Sequence, residues 1–281
     1  GGMGVVYLAQ QHYPKREVAV KRLRGKALGL ERALVQEAMI TGALEHPNIV
    51  PIHSLVLSGP HAPEVVMKRV QGKTLWAMCG DAPHSDEALR QLLGHFLQVC
   101  NALDFAHTRG IFHRDIKPEN IMVGDFGEVY LLDWGIALDS KELSSAPHGL
   151  VGSPAYMAPE MLDGDPSKID ARTDVYLLGA TLHEVLTGSP RHMAEGLEQT
   201  LELVRQSRPH EYGESVAAEL ATLCNRSCAS DPLGRPQSAA DFREALLCHL
   251  EHWEALLLSE AAEEEHRHFL WKIQDEPGDH G

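Results

Sequence analysis

A short segment of the chain, residues 111–135, concentrates the side chains best suited to chemistry. The polar residues that stand out are, in order, His113, Arg114, Asp115, Lys117, Asn120 and Asp133. Moving a phosphoryl group requires little covalent chemistry from a protein, but it demands close positioning and neutralisation of charge. A carboxylate, an ammonium group and hard oxygen ligands in this order therefore favour phosphoryl transfer.

The motif HRDIKPEN, followed by an Asp-x-Gly triplet, resembles the catalytic segment of the protein kinases, and specifically of their Ser/Thr branch. The resemblance implies that Asp115 orients the attacking hydroxyl and accepts its proton, and that Lys117 neutralises charge on the transferring phosphate. It also implies that Asn120 and Asp133 hold Mg²⁺, with Mn²⁺ as an alternative, because hard cations prefer oxygen ligands. ATP is then the expected phosphoryl donor, and Ser or Thr residues of proteins are the expected acceptors.

Two Asp-x-Gly triplets compete for the metal-binding position. The triplet at 125–127, DFG, has the family's usual letters, but only four residues separate it from Asn120, too few for the strand that the fold places there. Turn-forming residues around Asp125, between the runs IMV and VYLL, instead predict a β-hairpin. We therefore assign the metal role to Asp133, where the triplet is DWG, as in a group of bacterial Ser/Thr kinases.

The first residues, GGMGVVYLA, resemble the end of a glycine-rich phosphate loop, whose family form is G-x-G-x-x-G-x-V. The first glycine and the strand before it are absent, so we expect a fragment that lacks the first strand. Backbone N–H groups in such loops donate to phosphates. The resemblance assigns nucleotide contacts to Gly1, Gly2, Met3, Gly4 and Val6, and to Ala19 on the next strand.

Lys21 lies in the alternating segment 17–23, EVAVKRL, which predicts a strand and matches the family's V-A-I-K. The resemblance implies that Lys21 holds the α- and β-phosphates. It further implies that Glu37, on a helix predicted over 31–45, pairs with this lysine and keeps it in place. The alternatives are a solvated strand lysine and a surface glutamate.

A strand predicted over 64–70 leads into a Gln-Gly pair that resembles the hinge between kinase lobes. On this alignment Met67 guards the rear of the adenine pocket, and backbone groups from Lys68 to Val70 face the base. The segment VMKRVQGKTL, with Lys after Met, again resembles the bacterial DWG group and implies a bacterial origin.

The segment between Asp133 and the APE motif at 158–160 is rich in Ser, Gly and Pro and resembles the family's activation segment. Arg114 is typical of kinases in which a phosphate orders this segment, since phosphoserine can bridge to Arg. Ser144 and Ser145 are the candidate phosphorylation sites. The alternative is an unmodified flexible loop.

Two positions in this segment depart from the family pattern. Leu138 stands where regulated relatives often carry a basic residue, so the phosphate pocket is incomplete unless Lys141 supplies the charge. Ser153 stands where the family usually has Thr, near Asp115 and the substrate hydroxyl. Either hydroxyl can fill that role.

Three further residues extend the resemblance into the second half of the chain. Asp174 in RTDVYLLG matches the buried Asp that braces the backbone of the catalytic loop. Arg235 in DPLGRPQSA matches the Arg that pairs with the Glu of APE, here Glu160. Both roles are structural.

Composition limits the partners. The 281 residues include 25 basic and 40 acidic side chains, for a net charge of −15. Nucleic acid is therefore not an expected partner, because phosphate contacts need clustered Lys and Arg. Five Cys without a disulfide framework indicate a reducing compartment. No run approaches the roughly 18 apolar residues of a membrane span, so we expect a cytoplasmic protein or the cytoplasmic domain of a longer, membrane-anchored one.

The predicted fold is α+β, a two-lobed protein kinase fold with a small antiparallel β lobe carrying one key helix and a larger, mainly helical lobe. We expect an N-lobe at 1–67, a hinge at 68–70 and a C-lobe at 71–258. At 259–281 we expect an acidic extension that is helical to about His268 and then a frayed tail. A homodimer is an option for trans-autophosphorylation. The alternatives are a nucleotide-binding pseudokinase or scaffold, a small-molecule phosphotransferase of related fold, and a fragment made inactive by its incomplete glycine-rich loop.

Overall fold

The first part of the chain forms an antiparallel sheet, because its apolar residues alternate and several are β-branched. The computed structural model describes residues 4–25, 28–80, 85–145 and 148–275. The strands are β1 (Gly4–Gln11), β2 (Arg16–Leu23), β3 (Ile52–Val56) and β4 (Glu64–Lys68), in the order β1-β2-β4-β3. One helix, α1 (Leu28–Ala43), packs on this sheet through its buried Leu34 and Ala38, which contact Val65.

The rest of the described chain is mainly helical. Its helices are α2 (Leu75–Cys79), α3 (Asp86–Thr108), α4 (Ala171–Thr187), α5 (Leu197–Gln206), α6 (Ala218–Ser227) and α7 (Ala239–Asp275). The helix α4 is almost entirely buried, since every residue from Thr173 to Leu186 lies in the core. An antiparallel sheet followed by a helical lobe confirms the predicted fold class.

Short strands at the lobe boundary position the segment that the sequence marks as chemical. They are β5 (Gly72–Thr74), β6 (Ile111–Phe112), β7 (Ile121–Gly124), β8 (Val129–Leu131) and β9 (Leu138–Asp139). One sheet has the order β5-β7-β8, and β6 pairs with β9. At Gly72 the chain runs so close to β7 that a Cβ would lie 2.0 Å from the Val123 carbonyl oxygen, so only glycine fits.

The predicted hairpin around Asp125 is confirmed. Antiparallel pairing of β7 with β8 encloses the DFG triplet in the turn, where Gly127 has a φ of 81° and Phe126 is 95% exposed. In contrast, Trp134 of the second triplet is buried and packs edge-on against His113, with 4.6 Å between ring centroids. The two triplets thus differ completely in environment.

The bounds of three elements differ from those predicted. Helix α1 spans Leu28–Ala43 instead of 31–45, and β4 ends at Lys68 instead of residue 70. The largest difference lies in α7, which we expected to end near His268 but which continues to Asp275. Between its first residue and Asp275 the sequence contains no Pro or Gly, and it is rich in Ala, Leu and Glu, so nothing interrupts the helix. None of the helices in the described ranges has the length and apolar character needed to cross a bilayer.

The core of the helical lobe contains a buried polar cluster. His183 and His192 are 3% and 4% exposed, and each ring is hydrogen-bonded to a tyrosine hydroxyl, His183 to Tyr212 at 2.8 Å and His192 to Tyr176 at 2.7 Å. Burial, assisted by the charge of Arg191, lowers the pKa of His183 to about 3 and that of His192 to about 4. Both imidazoles are therefore neutral in the folded protein at neutral pH.

This cluster predicts a loss of stability in mild acid. Below the ordinary histidine pKa of 6.5 the unfolded chain binds protons that the folded chain does not, so stability falls as the pH drops. We expect each histidine to cost about 2 kcal/mol between pH 8 and pH 5. Urea unfolding at several pH values should show a shallower pH dependence for His183→Gln than for the parent. The same slope in both proteins would contradict the prediction, and His61→Gln, at an exposed position, is the control.

Candidate active site

A cavity of about 510 Å³ lies between the sheet and the helical lobe. It is lined by every described residue to which the sequence analysis assigned a nucleotide contact, namely Gly4, Val6, Ala19, Lys21, Met67, Lys68 and Val70. The predicted contacts Gly1, Gly2 and Met3 lie outside the described residues. Cavities of this size and mixed apolar and polar lining are typical of sites for ligands as large as nucleotides.

Lys21 and Glu37 meet at the inner end of this cavity. Strand β2 presents Lys21 and α1 presents Glu37, and the Lys21 Nζ donates to both carboxylate oxygens at 2.6 and 2.8 Å. Burial alone would lower the pKa of Lys21, but the charges of Glu37 and Asp133 outweigh it and hold the pKa above its ordinary value. A permanent ammonium group therefore points into the cavity.

Asp133 brings a second carboxylate to the same point. Its Oδ1 lies 3.3 Å from the Lys21 Nζ, and it lines the cavity. Burial pushes its pKa up, but the charge and hydrogen bond of Lys21 outweigh this and keep the pKa below the ordinary value. At the following glycine, Gly135, a Cβ would lie 3.2 Å from both the Asp133 and the Glu37 carboxylates, so a side chain there would crowd the two acids.

Backbone strain occurs at two positions of the segment. Arg114 and Asp133 have φ values of 65° and 58°, in the left-handed region that side chains other than glycine rarely adopt. Each such residue costs about 1–3 kcal/mol, and such strain is concentrated at functional sites. One of these residues, Arg114, directly precedes Asp115, and the other, Asp133, itself lines the cavity.

Asp115, Lys117 and Ser153 form a closed triangle of hydrogen bonds. The Lys117 Nζ donates to the Asp115 Oδ2 at 2.8 Å and to the Ser153 Oγ at 2.6 Å. The Ser153 hydroxyl donates to the Asp115 Oδ1 at 2.7 Å. The catalytic loop and the activation segment are thus joined at the predicted base.

Asn120 completes this group. Its Nδ2 donates to the Asp115 backbone oxygen at 2.7 Å and to the Asp115 Oδ2 at 2.9 Å. Because the amide nitrogen donates to Asp115, the Oδ1 is the atom of this side chain left to act as an acceptor, and Asn120 lines the same cavity as Asp133. Both residues thus bring to one cavity an oxygen donor of the kind that Mg²⁺ prefers.

Asp174 supports the catalytic loop from inside α4. This fully buried carboxylate accepts from the backbone N–H groups of His113 and Arg114, both at 2.8 Å. It also contacts the His107 Nε2 at 2.8 Å, a partner that the sequence analysis did not identify. Burial would raise its pKa, but the hydrogen bond and charge of His107, with further contributions from His113 and Arg114, hold it below the ordinary value.

The Arg114 side chain is buried, and its Nε donates to the Ile136 backbone oxygen at 2.6 Å. Leu138, at the position where a basic residue was considered, is buried in β9 and pairs with Phe112. Ser144 and Ser145 lie in a short 3₁₀ helix over 140–145, and their side chains lie outside what the structure describes. Loop phosphorylation therefore stays a prediction.

Glu160 and Arg235 form a bidentate ion pair at 2.7 and 2.8 Å. The Thr173 hydroxyl donates to the same carboxylate at 2.9 Å, which attaches the pair to the start of α4. The end of the activation segment is in this way fixed to the helical lobe.

Part of the cavity lining was not expected from the sequence. Met122 and Leu132 line it from the helical-lobe side, and Thr41 and Val50 line it from the other lobe. The available signal for Met122 was its closeness in sequence, because it lies on β7 only two residues after Asn120. No local pattern distinguishes Thr41 from any other helix residue.

The sequence matches a known family over most of its length. Residues 1–248 match the model described as "Protein kinase domain". The serine/threonine-protein kinase PknD of Chlamydia caviae is 32% identical over 89% of this chain and 30% of its own length. The serine/threonine-protein kinase PknB of Mycobacterium leprae is 34% identical over 88% of this chain and 41% of its own length.

The chain thus spans about a third of the length of the curated relatives that it matches. Both the extent of the family match and the identity to these bacterial kinases agree with the geometry of the cavity. The chain belongs to the protein kinase domain family.

Proposed function

We propose that the chain is the kinase domain of a Ser/Thr protein kinase, which transfers the γ-phosphoryl group of ATP to Ser or Thr hydroxyls of proteins. The observation that carries the proposal is that Lys21, Asn120 and Asp133 line one nucleotide-sized cavity, and that Asp115 is hydrogen-bonded to Asn120 at its edge. Relatives that are named as serine/threonine-protein kinases support it.

In this proposal Asp115 orients the attacking hydroxyl and accepts its proton. The contact with Ser153 supports the role, because an aliphatic hydroxyl already donates to this carboxylate at 2.7 Å. Lys117 lies within hydrogen-bond distance of the same hydroxyl, so its charge is available to neutralise the transferring group. Lys21, held by Glu37, fixes the phosphates of the donor.

The donor set of Asn120 and Asp133 fits a magnesium ion. One amide oxygen and one carboxylate with a lowered pKa offer hard oxygen ligands beside the cavity. A bound Mg²⁺, or Mn²⁺ in its place, supplies neutralisation of phosphate charge. Two hydrogen bonds within the chain keep these ligands oriented. The Asn120 amide donates to Asp115, and the Lys21 ammonium group donates to Asp133.

The proposed nucleotide position follows from the same cavity. Met67 borders its rear, backbone groups from Lys68 to Val70 face the adenine, and the glycine-rich segment that ends with Gly4 and Val6 covers the phosphates. The proposed domain division is 1–67, 68–70 and 71–258, with 259–281 as an extension. The end of β4 at Lys68 agrees with the hinge position.

A pseudokinase is the second candidate, but the site favours catalysis. Scaffolding does not require an ion pair at Lys21, a carboxylate within reach of a hydroxyl, or oxygen donors from both Asn120 and Asp133 on one cavity. The described residues contain all three features. A small-molecule phosphotransferase would not be expected to carry KPEN and APE.

Partners and location follow as further parts of the proposal. The acidic balance of 40 to 25 argues against nucleic acid, so the partners are proteins, including a second copy for trans-autophosphorylation. We propose that the domain works in the cytoplasm, alone or as part of a longer, membrane-anchored protein. The threefold greater length of the relatives supports further modules.

Mass spectrometry of the chain incubated with Mg²⁺ and ATP tests the function, with Asp115→Asn as the matched variant. We expect phosphate only in the parent, and peptide mapping should place it within residues 139–153, at Ser144 or Ser145. If ATP binds but no phosphate appears in the parent, in the variant or on an added protein substrate, the pseudokinase is favoured. Absence of ATP binding would contradict the proposal as a whole.

A further inference from the structure

Lys68 makes a contact that the proposed chemistry does not use. Its backbone borders the nucleotide cavity, but its side chain leaves β4 and donates a hydrogen bond to the hydroxyl of Tyr130 on β8. The Nζ also lies 4.6 Å from the centroid of the Tyr130 ring. Tyr130 is buried, and within the described part of the chain Lys68 has no carboxylate partner.

This contact closes a ring around the hinge. From Lys68 the chain crosses the hinge to Thr74 on β5, which pairs with Met122 on β7. Met122 in turn pairs with Tyr130 on β8, and the Tyr130 side chain returns to Lys68. The two ends of the hinge are therefore tied to each other by side chains as well as by the backbone.

The ring includes the walls of the cavity. Lys68 belongs to the edge that faces the base, and Met122 lines the opposite side. Because Met122 and Tyr130 are paired residues on neighbouring strands, they share one face of the sheet. Moving β4 away from this sheet would break the contact between Lys68 and Tyr130 before it stretched the hinge backbone.

A second connection, between the loop after α1 and β8, limits how the two lobes can separate. Asn48, in the loop after α1, donates to the Val129 backbone oxygen at 2.9 Å, and its own backbone oxygen accepts from Leu131 at 2.8 Å. The loop is thus attached to β8 on both sides of Tyr130. With this attachment as a pivot, widening the cavity would require opening the Lys68 contact with Tyr130, and also the ion pair between Lys21 and Asp133 at the inner side of the cavity.

We propose that Lys68 and Tyr130 form a latch that holds the hinge closed and slows release of the nucleotide. Lys68 acts here as a positioning residue through Tyr130, in addition to its backbone role. The inference rests on the proposed function, because only a nucleotide in this cavity would experience the latch. Lobe opening and product release limit turnover in many enzymes of this kind, so the latch would set the rate of ADP exchange.

The test combines nucleotide release with a measurement that needs no nucleotide. Tyr130→Phe removes the acceptor and keeps the ring, whereas Lys68→Met removes the charge and keeps the stem. We expect each variant to release the fluorescent analogue mant-ADP about three- to tenfold faster than the parent does. This is the change expected when one charged hydrogen bond or one cation–π contact is lost. The double variant should be no faster than the faster single variant.

Hydrogen exchange of the free protein provides the second arm. Peptides that cover 64–75 and 125–133 should exchange faster in both variants and not in the control Lys73→Met, an exposed lysine on β5. Unchanged release and exchange, or effects that add in the double variant, would overturn the latch. If the parent binds no mant-ADP, the proposed function fails and hydrogen exchange alone decides on the latch. If Lys68→Met does not fold, Tyr130→Phe carries the test.

Discussion

Replacing Asp133 by Asn should reduce phosphoryl transfer by about a thousandfold or more, whereas Asp125→Asn should leave it within about twofold. Each residue is the first of an Asp-x-Gly triplet, so the two variants make the same chemical change at the same position of the motif. Asp133 lies 3.3 Å from Lys21 in the cavity, and its carboxylate is the proposed metal ligand. Asp125 lies in a hairpin turn, where its N–H donates to the Gln71 backbone oxygen at 3.0 Å.

The measurement is the initial rate of phosphate incorporation at saturating Mg²⁺ and ATP, with the unfolding midpoint of each variant as a control for folding. A loss confined to Asp133→Asn would support the assignment by spacing. A loss only in Asp125→Asn would show that the triplet with the family's usual letters is the metal site. Equal losses in both variants would contradict the assignment to Asp133 alone. Partial rescue of Asp133→Asn by a higher metal concentration would further indicate a ligand role.

Replacing Arg235 by Ala should destabilise the helical lobe by about 3–5 kcal/mol, because it leaves the Glu160 carboxylate, whose side chain is only 11% exposed, without its cation. The Arg235 guanidinium uses all five of its N–H donors, two for Glu160 and the others for backbone oxygens of Ala229, Ser230 and Arg172. Its Cζ also lies 4.9 Å from the Tyr176 ring centroid. Few single side chains in a core are satisfied so fully.

Urea unfolding at pH 7 measures this effect, and Arg205→Ala is the matched control. Arg205 is an exposed residue of α5 that pairs with Glu202 at 2.8 Å, so its loss should change stability by less than about 0.5 kcal/mol. A similar small change for Arg235→Ala would contradict the structural role. Because Glu160 ends the activation segment, the rate of phosphoryl transfer should fall in parallel with the folded fraction.

The sequence was sufficient for the fold class and for the hairpin around Asp125. Hairpin geometry is local, so the number of residues between Asn120 and the first triplet could predict this turn without any knowledge of tertiary contacts. The start of α3 was equally predictable, since Ser85 accepts from the Ala88 N–H at 3.3 Å as an N-cap should. Periodicity and caps act over a few residues, which is why they are visible in the sequence.

Contacts between distant elements were not predictable in the same way. The Lys68 contact with Tyr130 spans 62 residues and the Asn48 contact with Val129 spans 81, and neither has a periodic pattern. The ends of elements were also uncertain, as the seven further residues of α7 beyond His268 demonstrate. Helix ends depend on where packing stops, and for α7 the only local stop signal is the Pro-Gly pair after Asp275.

The position of Asp174 has a consequence for the order of events during synthesis. Its partners His113 and Arg114 precede it by 61 and 60 residues, so they leave the ribosome well before the carboxylate that fixes their backbone exists. A nascent chain that ends before α4 would hold every residue of the catalytic loop without the support that gives the loop its shape. Translation therefore imposes a delay, and the growing polypeptide acquires a competent loop only after the central helix has emerged and packed.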